Sequence, residues 1–463
     1  MNKTTFYYPP LFINQNIIRG LLLFTGLLFL SISVFPQDIT NEKYKKDFVS
    51  WLTNNAHTIK TVDAGNGFED LQPFKNILKD VQVVGLGEAT HGTSEFFRMK
   101  HRMLEFLVKE MGYTNFLLET SMANCRYVNQ YVLYGKGDVD TATAIPGDIP
   151  WRVEEVRSMI KWMRQYNSTV SEDKKVKFLG FDFQGSYLLW KDIRSYYKKV
   201  NPSYSPNVDT ISKQMLSIIR YHYKGDSISA QKVKALFETK YPDYAKIEAD
   251  MLTNAKQYEN AAGYEEYEKN LQNIRLVAEE LEMLKSGGRP SVRDQYMAEN
   301  VLDMVKKAKS GEKFVLWAHN FHIIKFTSAN YTTMGYHIWK ALDNKYYGVE
   351  FEFYSGAFQT KNLDIPHDPK SWLDWDVMSV GAPSEGSLPW YLNKTGKESL
   401  FIDFRHTSSK NIKLFQTEFD MHDLEGAYSA KKPSMDGVHL YWFDGLIYIK
   451  TSTAAKNFKF YLQ

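Results

Sequence analysis

Residues 81–119 decide how the chain is built: V-Q-V-V-G-L-G at 81–87, E-A-T-H at 88–91, a helical stretch, and Y-T-N-F-L-L-E at 113–119. Val81 to Leu86 is short, apolar, rich in valine and ended by glycine, as suits a strand buried on both faces of a sheet. Phe96, Phe97, Met103, Leu104, Leu107 and Met111 recur at helical spacing with Arg102, Glu105 and Lys109 between them, and Gly112 sits where a helix would stop. Tyr113 to Leu118 is again apolar and of strand length. Two strands joined through one helix run parallel with a right-handed crossover. Glu88, His91 and Glu119 are therefore expected at one carboxyl edge, where open α/β sheets bind ligands.

The same layout recurs downstream. Val176 to Gly180 reads as a strand running out onto Asp182, and Phe314 to Ala318 as one running out onto His319-Asn320-Phe321-His322. Tyr346 to Phe353, Ser399 to Asp403 and Leu446 to Lys450 are further strand-like runs. Helical patterns cover 41–56, the stretch after Glu119 that carries Cys125 and ends near Gly135, Val153 to Tyr166, and Val292 to Lys309. A rigid loop, Ile145 to Pro150, launches the third of these helices. From Tyr187 to Lys285 the chain is rich in Lys, Glu, Gln, Tyr and Ala, has helical spacing, and holds no strand-like run. The expected fold is an α/β three-layer sandwich with a mostly parallel central sheet. The segment 187–285 is expected to form a helical subdomain and one wall of the cleft, and its tyrosine richness makes it the place to look for an aromatic-lined groove.

Composition bounds the function loosely. At 463 residues the chain can build one large or two ordinary cores, and a net charge of +3 is too mild to argue for nucleic acid or an anionic membrane surface. The N-terminus is more informative. Leu21 to Val34 is an almost unbroken apolar run preceded by Lys3 and Arg19, too short for a comfortable membrane span of roughly 20 residues. Residues 1–37 therefore read as an export signal, or failing cleavage an anchor, which directs the remainder to the periplasm or outside the cell. The single cysteine, Cys125, allows no intramolecular disulfide.

Taken together, the strand ends gather Glu88, His91, Glu119, Asp182, His319 and His322. One histidine in a loop is ordinarily a hydrogen-bonded structural residue; several strands all ending on titratable groups is the pattern that acid/base catalysis requires. A serine hydrolase needs G-x-S-x-G, and the chain has none. A dinucleotide fold needs a third glycine after Gly85-Leu86-Gly87, and Glu88 would repel a pyrophosphate. Water activated directly remains. His91 lies before a helix N-terminus that disfavours the imidazolium, so its neutral ring can take a proton from water. Glu88 or Glu119 can orient that ring, Arg98 or Lys100 can supply positive charge for an oxyanion, and His319 can protonate a leaving alkoxide. A second chemistry stays open: His91, His319, His322 and a carboxylate are also a legitimate zinc set, though no H-E-x-x-H is present.

At this point the chain resembles a known family. G-L-G-E-A-T-H-G-T-S-E-F-F-R-M-K from Gly85, F-L-L-E ending at Glu119, W-R-V-E-E-V-R-S-M-I-K-W-M-R-Q-Y-N from Trp151, R-D-Q-Y-M-A-E-N and W-A-H-N-F-H ending at His322 are similar to the erythromycin esterases, macrolide-inactivating hydrolases. The blocks spread from about Asn41 to the C-terminus. The resemblance implies cleavage of the macrolactone ester of 14-membered macrolides by water, with no acyl-enzyme, no cofactor and no required metal. It places the general base on His91, its glutamate on Glu88, a second glutamate on Glu119 and the distant histidine on His319, with His322 closing that block. Substrate contacts are expected from Lys100, Arg98, His322 and Asp182. Lys100 stands where characterised esterases carry arginine, which keeps the charge but loses the planar fork. The export segment is a second departure. The wider group also includes members of unassigned substrate and haem-binding or metalloprotease relatives, so an exported hydrolase of another ester or polysaccharide substituent, and a metal- or haem-binding module, stand as alternatives.

Overall fold

Twelve strands are described: β1 His57–Thr58, β2 Val83–Leu86, β3 Asn115–Ser121, β4 Lys177–Asp182, β5 Phe314–Trp317, β6 Tyr346–Asn362, β7 Asp376–Val380, β8 Ser399–Asp403, β9 Glu418–Met421, β10 Ala427–Tyr428, β11 Met435–His439 and β12 Gly445–Ser452. They belong to a computed structural model that describes residues 41–146, 149–222, 227–362, 375–406, 417–422, 427–428 and 435–458. All of these lie in the unit 38–463, and the expected export segment 1–37 lies outside the described residues. Ten strands form one sheet, ordered β1-β8-β12-β6-β2-β5-β3-β4, with β7 and β10 also paired to β6; β9 and β11 make a separate ribbon. From β12 to β4 every neighbouring pair is parallel, and the antiparallel pairs are those of β8 and of β7 with β6.

Alternation along the strands sorts the side chains into two buried faces, because successive residues of a strand point to opposite sides. Val84, Leu86, Phe116, Leu118, Val315 and Trp317 pack with Phe96, Phe97 and Met103 of the helix Ser94–Met111 and with Val156 and Ile160 of the helix Glu154–Asn167. Val83, Leu117, Phe181, Phe314 and Leu316 pack on the other side with Met297 and Val301 of the helix Pro290–Lys307 and Ile338 of the helix Met334–Leu342. These two helical faces and the sheet between them are the three layers.

The helices Ser186–Val200, Ser205–His222, Ser227–Thr253, Ala255–Ala262 and Tyr264–Lys285 bury a further core of their own. Tyr197, Tyr244 and Tyr258 are fully buried in it rather than lining a groove, and Asp250 accepts hydrogen bonds from the hydroxyls of Tyr197 and Tyr258 at 2.9 and 2.7 Å. Tyr187 and Tyr264, by contrast, are exposed.

Two details of the organising stretch differ from the sequence pattern. The first strand starts at Val83, two residues late. Arg102 and Glu105, which periodicity puts on a polar face, are buried. The cause is tertiary: the segment 61–70 covers that face, and Arg102 donates to the Thr61 and Gly67 carbonyls and to the Asp70 carboxylate at 2.5 to 3.0 Å. The helix stops as expected at Gly112, whose φ of 71° is the left-handed cap conformation glycine adopts without strain.

Candidate active site

Register fixes where the reactive side chains emerge. Leu86 and Leu118 both pair with Trp317, Leu86 also with Val349, and Leu118 also with Gly180, so five strands are in register at the point where β2 and β5 end. Glu88, Glu119, Asp182 and His319 follow one or two residues later, on one edge. Backbone hydrogen bonds hold the turns beyond it: Gly87 N–H donates to the Val349 carbonyl at 2.8 Å, and Asn320 N–H to the Glu88 carbonyl at 2.9 Å. The His91 loop is held as tightly. The Gly92 carbonyl accepts from Gln359 N–H at 3.0 Å and Ala455 N–H at 2.9 Å, and a Cβ at Gly92 would stand 1.8 Å from the Gln359 carbonyl oxygen. Only glycine fits there.

Glu88 is completely buried and accepts from three groups. His91 Nδ1 lies 2.6 Å from its Oε1, Trp317 Nε1–H donates to Oε2 at 2.7 Å, and the Lys100 ammonium donates to the same Oε2. An ionised carboxylate only accepts, so Nδ1 of His91 carries the proton and the lone pair of the neutral ring sits on Nε2. The ring is 13% exposed, which opens it to solvent, while Trp151 meets it edge-on with centroids 5.4 Å apart. Lys100 is wholly buried below Glu88, with its Nζ 4.4 Å from the Trp317 ring centroid. Burial pulls its ammonium down to about 8, against the opposing charges of Glu88 and Glu119. Lys100 is thus the buried counter-ion of Glu88. Arg98 points elsewhere: it donates to Asp63 at 2.6 Å and lies 3.6 Å from Glu95, with over a third of its side chain exposed.

His319 stands on the far side of His91, their ring centroids 5.2 Å apart. It caps the short helix Asn320–Ile323: its Nδ1 accepts from Phe321 N–H at 3.3 Å, which puts the ring proton on Nε2. The two histidines therefore have opposite tautomers.

Glu119 joins them. Its Oε2 accepts from His319 N–H at 2.9 Å, and its Oε1 lies 2.9 Å from Arg293 Nη2 and 3.2 Å from His322 Nε2. Burial alone would raise its carboxyl, but His322, Arg293 and His91 outweigh that and hold it well below the usual range. His322 donates from Nδ1 to Asp294, whose other oxygen accepts from Tyr331 at 2.9 Å. Burial works against the imidazolium of His322, yet Asp294 and Glu119 push it up to about 10. Asp182 accepts from Arg293 Nε at 3.0 Å and Nη2 at 2.7 Å.

The structure thus gathers Glu88, His91, Glu119, Asp182, His319 and His322, places Lys100 beneath them, and turns Arg98 away. Arg293 is the participant that sequence reasoning missed. Among the described residues no three His, Cys, Asp or Glu side chains are arranged to hold a metal ion; the space between Glu119, Asp182 and His322 is filled by the Arg293 guanidinium. Glu88, Glu119, Asp182 and Asp294 face Lys100, Arg293 and His322. Such an edge can abstract a proton from water and donate a hydrogen bond beside it.

The erythromycin esterase family model matches residues 108–452. Erythromycin esterase type II of Escherichia coli is 26% identical over 415 residues, covering 83% of this chain and 96% of its own. A Bacillus cereus protein of known crystal structure superposes with a TM-score of 0.74 at 25% identity, covering 90% of this chain and 99% of its own. A mutant of the erythromycin esterase EreC in its open conformation shares the fold, with a TM-score of 0.68 at 17% identity over 87% of this chain and 99% of its own. The chain belongs to the erythromycin esterase family of hydrolases.

Proposed function

We propose that this protein opens the macrolactone ester of 14-membered macrolides such as erythromycin by direct attack of water, and so confers resistance. The observation that carries the reading is the pair formed by His91 and buried Glu88 at 2.6 Å, with His319 alongside and no serine elbow in the sequence. His91 Nε2 takes a proton from water as its oxygen bonds to the ester carbonyl carbon. Glu88 holds the ring and offsets the charge it gains, while Glu119 fixes the His319 backbone. As the tetrahedral adduct collapses, the C–O bond to the alcohol breaks, His319 Nε2–H gives its proton to the leaving oxygen, and the proton on His91 Nε2 passes to His319 Nε2, so that both rings end neutral. The products are a carboxylic acid and an alcohol within one opened chain.

Positive charge for the oxyanion cannot come from Arg98 as it is placed, nor by contact from Lys100, so the role of these two is withdrawn from the proposal. The groove for so large an apolar ring is placed between this edge and the helices 186–285, starting at exposed Tyr187. Export is proposed from the apolar run Leu21 to Val34, and N-terminal sequencing of secreted material tests it; among the described residues no helix is long and apolar enough to cross a membrane. The deciding experiment is mass spectrometry of erythromycin after incubation with wild type and with His91→Ala. The proposal predicts a gain of one water with the first and none with the second, in the presence of EDTA. Survival of erythromycin while simple esters turn over would move the substrate to another ester class.

A further inference from the structure

We propose that Arg293 is a positioning residue of the reaction, one guanidinium that ties two strand ends together and so holds Glu119 where the two catalytic histidines need it. The inference rests on the reading of this edge as the hydrolytic site. Arg293 sits in the first turn of the helix Pro290–Lys307, on the opposite face of the sheet from the helix that follows His91. From there its fork donates to Asp182 at the end of β4 by Nε and Nη2 and to Glu119 on β3 by Nη2, all within 3.0 Å, while Nη1 lies 3.2 Å from His322 Nε2, which itself faces Glu119.

The geometry uses what only arginine has. Both Nη2 hydrogens are committed to carboxylates of two different strands, and the planar fork fixes the angle between them. Glu119 in turn holds the backbone N–H of His319 at 2.9 Å, and so sets the position of the ring that faces His91. Displacing Arg293 therefore moves His319 through Glu119, without Arg293 touching substrate. The titratable neighbours of this group are Glu119 and Asp182 on the sheet, His91 in its loop, His322 on the short helix Asn320–Ile323, Asp294 on its own helix, and Glu279, which burial pushes up to about 8, from the adjoining helix Tyr264–Lys285. Removing one cation from among Glu119, Asp182 and Asp294 leaves His322 alone to compensate three carboxylates. Glu119 then gains a proton more readily.

The test compares Arg293→Lys, which keeps the charge and loses the fork, with Arg293→Met, which loses both. Two readouts are needed. The first is the pH dependence of kcat and KM on whichever ester the wild type hydrolyses. Positioning predicts that kcat falls about 10²-fold in Arg293→Met with KM little changed, in line with displacing a catalytic group by about 1 Å, and that the acid limb moves to higher pH. Arg293→Lys should lose rate yet keep the acid limb. The second is titration of the Glu119 carboxyl by carbon-13 NMR, assigned by difference from Glu119→Gln. It needs no substrate, so it reads the inference even where the reaction class is wrong. Its expected midpoint rises in Arg293→Met. A rise in KM with unchanged kcat, wild-type activity in either variant, or an unmoved Glu119 titration would overturn the proposal. Should Arg293→Met fail to fold, the rate loss and retained acid limb in Arg293→Lys decide it, and their absence refutes it.

Discussion

Replacing Glu88 by glutamine changes one atom and should turn the base round. In the wild type both Lys100 and Trp317 donate to Oε2, and His91 donates from Nδ1 to Oε1. A glutamine keeps one accepting oxygen, and two buried donors compete for it on the Lys100 side. Its amide nitrogen is thereby directed at His91, where it can only donate. Nδ1 must then accept, the proton moves to Nε2, and the lone pair that takes a proton from water is gone. Loss of the carboxylate in a His-carboxylate pair through the wrong tautomer costs about 10⁴ in kcat, or about 5.4 kcal/mol of transition-state stabilisation at roughly 1.36 kcal/mol per decade. Stability should fall as well, because Lys100 is wholly buried and loses its contacting anion. Breaking a buried pair from one side costs about 3–5 kcal/mol, less whatever is recovered when the ammonium releases its proton. The assays are kcat/KM on the ester, nitrogen-15 NMR of the His91 ring, and thermal unfolding. Activity within tenfold of wild type, or an Nδ1–H tautomer persisting in Glu88→Gln, would refute the reasoning.

Lys100, pulled by burial to about 8 from the ordinary 10.5, should give kcat/KM an alkaline limb near pH 8, as its loss of charge leaves the Glu88 carboxylate that holds His91 without its counter-ion. Lys100→Arg should abolish that limb in a pH-rate profile. His322 has a folded value near 10 against an ordinary 6.5, so its stabilising contribution is complete below 6.5 and is lost as pH rises through about 10. The melting-temperature gap between wild type and His322→Gln should accordingly be widest in acid and close above pH 10, as calorimetry across that range would show. Gly92→Ala must displace the Gln359 backbone, since its Cβ would lie 1.8 Å from a carbonyl oxygen. About 10²-fold or more of kcat should go with it, checked alongside circular dichroism to separate a shifted His91 loop from an unfolded chain.

Much of this edge was legible because strand ends are a local property. Apolar runs of four to seven residues announced β2 to β5, and the crossover rule placed Glu88, His91, Glu119, Asp182 and His319 on one side of the sheet. Lys100 was readable too, though its meaning was missed: it falls at helical spacing among Phe96, Phe97, Met103 and Leu104, on the buried stripe, whereas Arg98 falls off it. A lysine on an apolar stripe needs a buried anion, and Glu88 supplies it. Arg293 left no such trace. Its helix follows a hundred residues of intervening helices, and nothing local says that its first turn meets the ends of β3 and β4. The tyrosine richness of 187–285 carried no address either, because an amphipathic ring suits a core with an internal acceptor such as Asp250 as well as it suits a groove.

The account stands on water, and no group of the protein, being what attacks the ester. A single-turnover reaction in oxygen-18 water, quenched and followed by mass spectrometry of both product and intact protein, measures this directly. One oxygen-18 atom in the new carboxylate and an enzyme mass that stays unmodified at every time point is the predicted result, with neither product nor adduct from His91→Ala. A transient increase in protein mass equal to the bound acyl chain, or product formed at wild-type rate without the His91 ring, would contradict it.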